Sequence, residues 1–241
     1  MPALHALANP ARFLRIARPL TPVLFWLGVT LAALGAWAGL VLTPPDYLQG
    51  DTVRIMYIHV PTAWLGMGGW SGIAVSSIAY LVWRHPLANI AARAIAPAGA
   101  TFAALCLVTG SIWGRPTWGT WWQWDGRLTS MLLLFFVYCG YMALARADAE
   151  RGGDGRVTAV YGVAGSALLP VVRYSVVWWN TLHQGPSIGL TGSTVDRSIL
   201  WPLPITLAGF TLFFAGVVLM RMRTLLAQAK AEARMRRMAR A

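Results

Sequence analysis

Six stretches of this chain run for roughly the 20 apolar residues that a helix needs to cross a bilayer. They are Pro22 to Leu42, Val60 to Trp83, Ala94 to Trp113, Leu128 to Ala145, Val157 to Leu182 and Leu200 to Met220; all are free of charge except the fifth, which contains Arg173. In lipid every backbone polar group must be satisfied within the protein, so runs of this length fold as helices. The pattern predicts an all-α, polytopic integral membrane protein with about six transmembrane helices. The connections are short and there is no internal repeat, so residues 1–241 read as one membrane domain.

Composition agrees. Of the 241 residues 57% are hydrophobic and 12% charged, and the mean hydropathy is +0.55. Soluble domains carry roughly 25% charged residues. The net charge of +12 would suggest nucleic acid on a soluble protein, but its placement points to the membrane instead. Cytoplasmic loops are enriched in Lys and Arg. With the N-terminus inside, fifteen of the twenty basic residues fall on the cytoplasmic side: Arg12, Arg15, Arg18, Arg84, Arg93, Arg146, Arg151, Arg156 and seven from Arg221 to Arg240. Arg54, Arg115, Arg127, Arg173 and Arg197 fall on or near the other side. Both termini are therefore expected in the cytoplasm. The first span reads as a retained helix, and the basic tail 221–241 as a continuation of the last one near anionic lipid. Cys106 and Cys139 lie within apolar runs and read as buried hydrophobes; no C-x-x-C-H stands in the chain for thioether attachment of haem.

Parity then assigns the loops. Thr43–His59, Gly114–Arg127 and His183–Ile199 face outward, and Arg84–Arg93 and Arg146–Arg156 face inward. The second outer loop, read as residues 113–127, holds Trp113, Trp118, Trp121, Trp122 and Trp124 among Gly and Pro. Any one of them fits an interfacial aromatic belt. Five on one loop make a stiff apolar shelf suited to a large planar ligand. Two of the four histidines, His59 and His183, flank this face beside Pro and aromatic residues at span ends; His5 and His85 fall on the other side and read as solvated. Neutral imidazole ligates iron, and two of them complete the axial positions of a porphyrin. Structural hydrogen bonding is the alternative for either alone. A zinc site wants about four N or S ligands, which this face lacks, and no hydrolytic constellation is present. Asp125 is suited to capping the fourth span, to pairing with Arg127 or Arg115, or to shaping the shelf and a partner's docking surface. Arg54, Arg115 and Arg127 are suited either to haem propionates or to interfacial anchoring. Arg173, a charge within a span, is paired, functional or snorkelling.

The run Trp118-Gly-Thr-Trp-Trp-Gln-Trp-Asp-Gly-Arg-Leu-Thr-Ser130 resembles the tryptophan-rich "WWD" signature of haem-handling membrane proteins. Arg54-Ile-Met-Tyr-Ile-His-Val-Pro61 and Trp178-Trp-Asn-Thr-Leu-His-Gln-Gly185 resemble the two histidine segments of the CcmC family in particular, and the resemblance spans nearly the whole chain. It implies a bacterial inner-membrane protein that presents haem b (iron protoporphyrin IX) at the periplasmic surface. His59 and His183 would be the axial ligands and the WWD loop would lie against the haem. It implies delivery to the haem chaperone CcmE, where the haem becomes linked to a histidine, and association with CcmD and the CcmA–CcmB ATPase complex. This chain has no P-loop, so ATP hydrolysis would belong to a partner. A membrane b-type cytochrome and a transport subunit of an ABC exporter are the competing readings. Whether delivery makes the protein a haem lyase in effect stays open.

Overall fold

The computed structural model describes residues 9–179, 181–183, 188–189, 192–193 and 195–239. Helix α1 runs Pro10–Trp37 and ends in a π-helical turn, Ala38–Leu42. A 3-10 turn, Asp51–Ile55, leads into α2, Met56–Trp83. Helices α3 (Pro86–Trp118) and α4 (Gly126–Glu150) follow. The fifth span is jointed: α5 (Arg156–Ala164), a 3-10 turn (Gly165–Ala167) and α6 (Leu168–Trp178). A small antiparallel ribbon, β1 (Ile188–Gly189) with β2 (Gly192–Ser193), precedes α7 (Arg197–Leu200) and α8 (Pro202–Met238). Among the described residues six helical segments are long and apolar enough to cross a membrane, as the sequence predicts. The ribbon is an addition to the all-α expectation.

The helices outrun the apolar stretches, because charge at a helix end does not stop a helix. Pro10, Pro86 and Pro202 stand at helix starts, where a missing N–H costs nothing and a fixed φ helps. Asn9 and Asp125 cap α1 and α4 by accepting from the N–H groups of Ala11 and Leu128, both at 2.8 Å. The segment 113–127 is not one loop. Helix α3 continues through Trp118 and stops where Gly119 turns left-handed at φ 80°, so only Gly119–Asp125 is non-helical. His59 likewise lies in the first turn of α2 rather than before the span. The two connections expected inside shrink to residues 84–85 and 151–155. The basic tail continues α8 through Met238, as expected. At 1.5 Å per residue that helix is about 55 Å long, well beyond a hydrocarbon core of about 30 Å.

The longest helix–helix seam joins α1 to α8. Gly28 faces the Phe213 backbone, Gly35 faces Thr206, Gly209 faces Ala32 and Gly216 faces Phe25. Partner numbers fall on α8 as they rise on α1, so the pair is antiparallel. Small residues let helix backbones approach in lipid, where apolar burial gives no drive to associate. The central core gathers around Trp70 of α2, fully buried, with Tyr138 and Tyr141 of α4 edge-on at 4.8 and 5.9 Å between ring centroids. The Tyr138 hydroxyl donates to the Gly66 carbonyl at 2.8 Å. At one end of the bundle, Tyr57 of α2 donates to the Ile199 carbonyl at 2.5 Å and ties the start of α2 to α7. His59 and His183 lie at this end.

Candidate functional site

His59 projects from the first turn of α2 onto α3. Its Nδ1 stands 3.0 Å from the Thr109 hydroxyl oxygen. That hydroxyl donates its own hydrogen to the Leu105 carbonyl at 2.7 Å. Its lone pairs are thus left for the imidazole, and His59 carries its proton on Nδ1. Trp113, one turn after Thr109 on the same face of α3, meets the His59 ring edge-on at 5.6 Å. The Trp113 indole N–H donates to Gln49 at 2.8 Å, which fixes the ring.

His183 lies beyond α6, and its position is set by contacts rather than by a helix. Its Nδ1 is 2.7 Å from Asp125 Oδ2. The Thr181 hydroxyl donates to the same carboxylate oxygen and accepts the His183 backbone N–H at 3.1 Å. The other oxygen, Oδ1, is the cap of α4. Trp118, at the end of α3, lies 4.6 Å from the His183 ring, edge-on. Asp125 is 7% exposed. Its burial opposes ionisation, but hydrogen bonds from Thr181, the Leu128 N–H and His183 outweigh this and hold the carboxyl below its ordinary range. Burial also holds His183 below the ordinary imidazole value, against the pull of Asp125. At neutral pH the pair is a carboxylate and a neutral imidazole. An ionised carboxylate only accepts, so the His183 proton is on Nδ1.

Both imidazoles therefore leave Nε2 as the free lone pair. They lie within charge–charge reach of each other and of Arg127, which stands in the first turn of α4. Arg127 donates to the Arg173 carbonyl at 3.4 Å, and its Nε is buried without a hydrogen-bond partner among the described residues. The other two outer arginines are engaged elsewhere. Arg54 pairs with Asp51 at 3.3 Å and donates to the Thr43 carbonyl at 2.8 Å. Arg115 donates to the Gly119 carbonyl at 3.1 Å, at the end of its own helix. Arg173 is exposed beside Tyr174, little more than a turn from the end of α6.

The structure thus brings His59, His183, Trp113, Trp118, Asp125 and Arg127 together. Trp121 and Trp124 are 59% and 75% exposed. Trp122 is half-buried, edge-on to Trp124 at 5.3 Å, with its indole nitrogen buried and unpartnered among the described residues. These three make no described contact with either imidazole. Asp125 caps α4 as one of the sequence readings has it. Its carboxylate pairs with His183, and no ion pair to Arg115 or Arg127 forms among the described residues. Sequence reasoning missed Thr109, Gln49 and Thr181. For Thr181 the signal was a Thr two residues before His183; no signal separates Thr109 from the other Thr residues of its helix. His85 sits in the turn at the opposite end of the bundle, whereas His5 and Gln184–Pro186 lie outside the described residues.

Residues 3–237 match the model of the family described as Heme exporter protein C, CcmC. The heme exporter protein C of Bradyrhizobium diazoefficiens is 50% identical over 218 residues, covering 90% of this chain and 82% of that protein. That of Escherichia coli K12 is 44% identical over 223 residues, covering 92% and 90%. That of Haemophilus influenzae is 42% identical over 221 residues, covering 91% and 90%.

Proposed function

This chain belongs to the heme exporter protein C family, CcmC, and from that premise we propose that it holds haem b as a cargo between His59 and His183 and delivers it in cytochrome c maturation. The observation that carries this reading is the convergence of two imidazoles, far apart in sequence, at one end of the bundle. Each has Nδ1 engaged by a neighbouring side chain and Nε2 without a hydrogen-bond partner among the described residues. That donor set fits the two axial positions of a haem iron. Among the described residues no group of three or more His, Cys, Asp or Glu side chains gathers, and a two-ligand site suits a metal whose other ligands arrive with it.

The remaining side chains follow from their surroundings. Trp113 and Trp118 bracket the two imidazoles and offer apolar surface to the macrocycle. Exposed Trp121 and Trp124, with Trp122, extend that surface to where a partner docks. Arg127 is the arginine assigned to a propionate: the Nε of Arg54 is likewise buried and unpartnered among the described residues, but Arg54 already pairs with the Asp51 carboxylate, and Arg115 serves the end of its own helix. In this reading the protein sits in the bacterial inner membrane as one domain. Both termini are cytoplasmic, and the site faces the periplasm at the lipid–water boundary. Haem passes to CcmE, with CcmD and the CcmA–CcmB ATPase as associates.

Spectroscopy of purified histidine variants tests the reading. His59→Ala and His183→Ala each lower haem occupancy by about tenfold or more, in line with the loss of a metal ligand or its support. His5→Ala and His85→Ala retain it. Full occupancy with an unaltered spectrum in both His59→Ala and His183→Ala sinks the proposal.

A further inference from the structure

We infer that the two axial positions are unequal by construction: Asp125 makes His183 the strong, anchoring ligand, and His59 is the ligand released when haem leaves. The inference rests on the bis-imidazole reading above and adds to it an order of release.

The asymmetry lies in what each Nδ1–H meets. His183 donates to a carboxylate at 2.7 Å. His59 donates to a neutral hydroxyl at 3.0 Å. Hydrogen bonds to an ionised acceptor are shorter and roughly twice as strong as neutral ones. A carboxylate on the far nitrogen also raises the basicity of a ligating imidazole, whereas a hydroxyl does so weakly. The carboxylate is itself fixed at three points: by the Leu128 N–H at the start of α4, by the Thr181 hydroxyl and by His183. The Thr109 hydroxyl, which donates to the Leu105 carbonyl, is made a better acceptor by that bond but carries no charge. Electron density is therefore pushed toward the metal from the His183 side. The weaker iron–nitrogen bond is the one to His59. Breaking it is a simple ligand dissociation: the electron pair stays on Nε2 and the iron keeps its oxidation state. The vacated axial position then faces α2 and α3, while His183 retains the cargo at the Trp118 side.

Asp125 is thus a positioning residue, and Asp125→Asn separates its charge from its structural part. Asn caps helices as well as Asp does, so with its one oxygen kept on the Leu128 N–H α4 starts unchanged, while the amide NH2 that replaces Oδ2 offers His183 no acceptor. The readout is the midpoint potential of haem bound to the purified full-length protein. In Asp125→Asn the preference for the ferric over the ferrous form falls about tenfold, which is an upward shift of about 59 mV for one electron. Thr109→Val moves the potential less. Thr181→Val, which removes a donor that drains the carboxylate, moves it downward; a merely structural role for the cluster predicts the same direction for both. Imidazole added to the wild type replaces His59 first, so prior substitution of His59→Ala leaves the remaining haem signal insensitive to Thr109→Val but still sensitive to Asp125→Asn. The inference is overturned if Asp125→Asn leaves the potential in place, if Thr109→Val shifts it as much, or if Thr181→Val shifts it upward. Haem retained at full occupancy in both histidine variants overturns instead the reading beneath it.

Discussion

Arg127→Met is expected to have opposite effects on the empty and the loaded protein. The side chain lies within charge–charge reach of both imidazoles, with its Nε buried and unpartnered among the described residues and one long hydrogen bond, 3.4 Å, to the Arg173 carbonyl. A buried donor left unsatisfied costs about 1–3 kcal/mol. Methionine keeps the length of the chain and removes that cost, so the haem-free variant unfolds at the same temperature as the parent or above it. Haem affinity moves the other way. A hydrogen bond to a charged group contributes about 1.5–3 kcal/mol, so losing one from guanidinium to propionate weakens binding by about tenfold to about a hundredfold. The assay is titration of the purified protein with haem, run in parallel with haem dimethyl ester, whose propionates carry no charge. The parent prefers the free acid, and Arg127→Met binds both alike. Arg54→Met and Arg115→Met, whose guanidiniums already serve Asp51 and the Gly119 carbonyl, keep the preference. Free-acid binding within about twofold of the parent in Arg127→Met, or a larger loss in either of the other two variants, refutes the assignment.

Two further expectations concern acid and packing. Burial holds His183 below its ordinary value of about 6.5. The unfolded chain then takes up the proton first as pH falls, so the haem-free protein loses stability as pH drops through about 6.5, while the folded imidazole stays neutral and able to ligate. The Soret band should hold from about pH 8 down to about pH 6.5 and decline only below it; a release midpoint at or above about 6.5 contradicts the assignment. In the α1–α8 seam, Gly209→Leu forces a side chain against the backbone of Leu31 and Ala32 and should cost about 1–3 kcal/mol, read as a lower thermal midpoint. Gly68→Leu, where an added Cβ meets nothing within 4 Å, serves as the control and should unfold like the parent.

The spans were legible because lipid imposes a simple rule on charge, and five charge-free runs and a sixth broken only by Arg173 obey it. Their ends were less legible. Gly114 and Pro116 read as loop signals, yet α3 accommodates both and runs on to Gly119, so Trp113 and Trp118 prove helical. That His59 and His183 share an end followed from counting spans between them and from the arginine bias. Their immediate supports did not follow. A hydroxyl in an apolar helix ordinarily bonds the carbonyl one turn back, and Thr109 does so with Leu105, so nothing in the sequence separates it from Thr101 or Thr211, which make the same local bond. Asp125 was legible as a cap. Its second role needed the fold to bring residue 183 across from the far side of two spans. The glycines at 28, 35, 209 and 216 stand seven apart on each helix, but a single-helix reading does not say which two faces meet.

That glycine-lined seam sets a constraint on biosynthesis. The ribosome delivers α1 first and α8 last, yet these are the two helices with the most surface in common. Through most of translation α1 waits in the bilayer with its small-residue groove bare, and no earlier helix fills it to the same extent. A product truncated before residue 202 keeps that groove open for good. Such chains should differ from those that carry α8 in what membrane proteases and insertion chaperones find on their surface, so closure of the α1–α8 seam reports that translation has passed through α8.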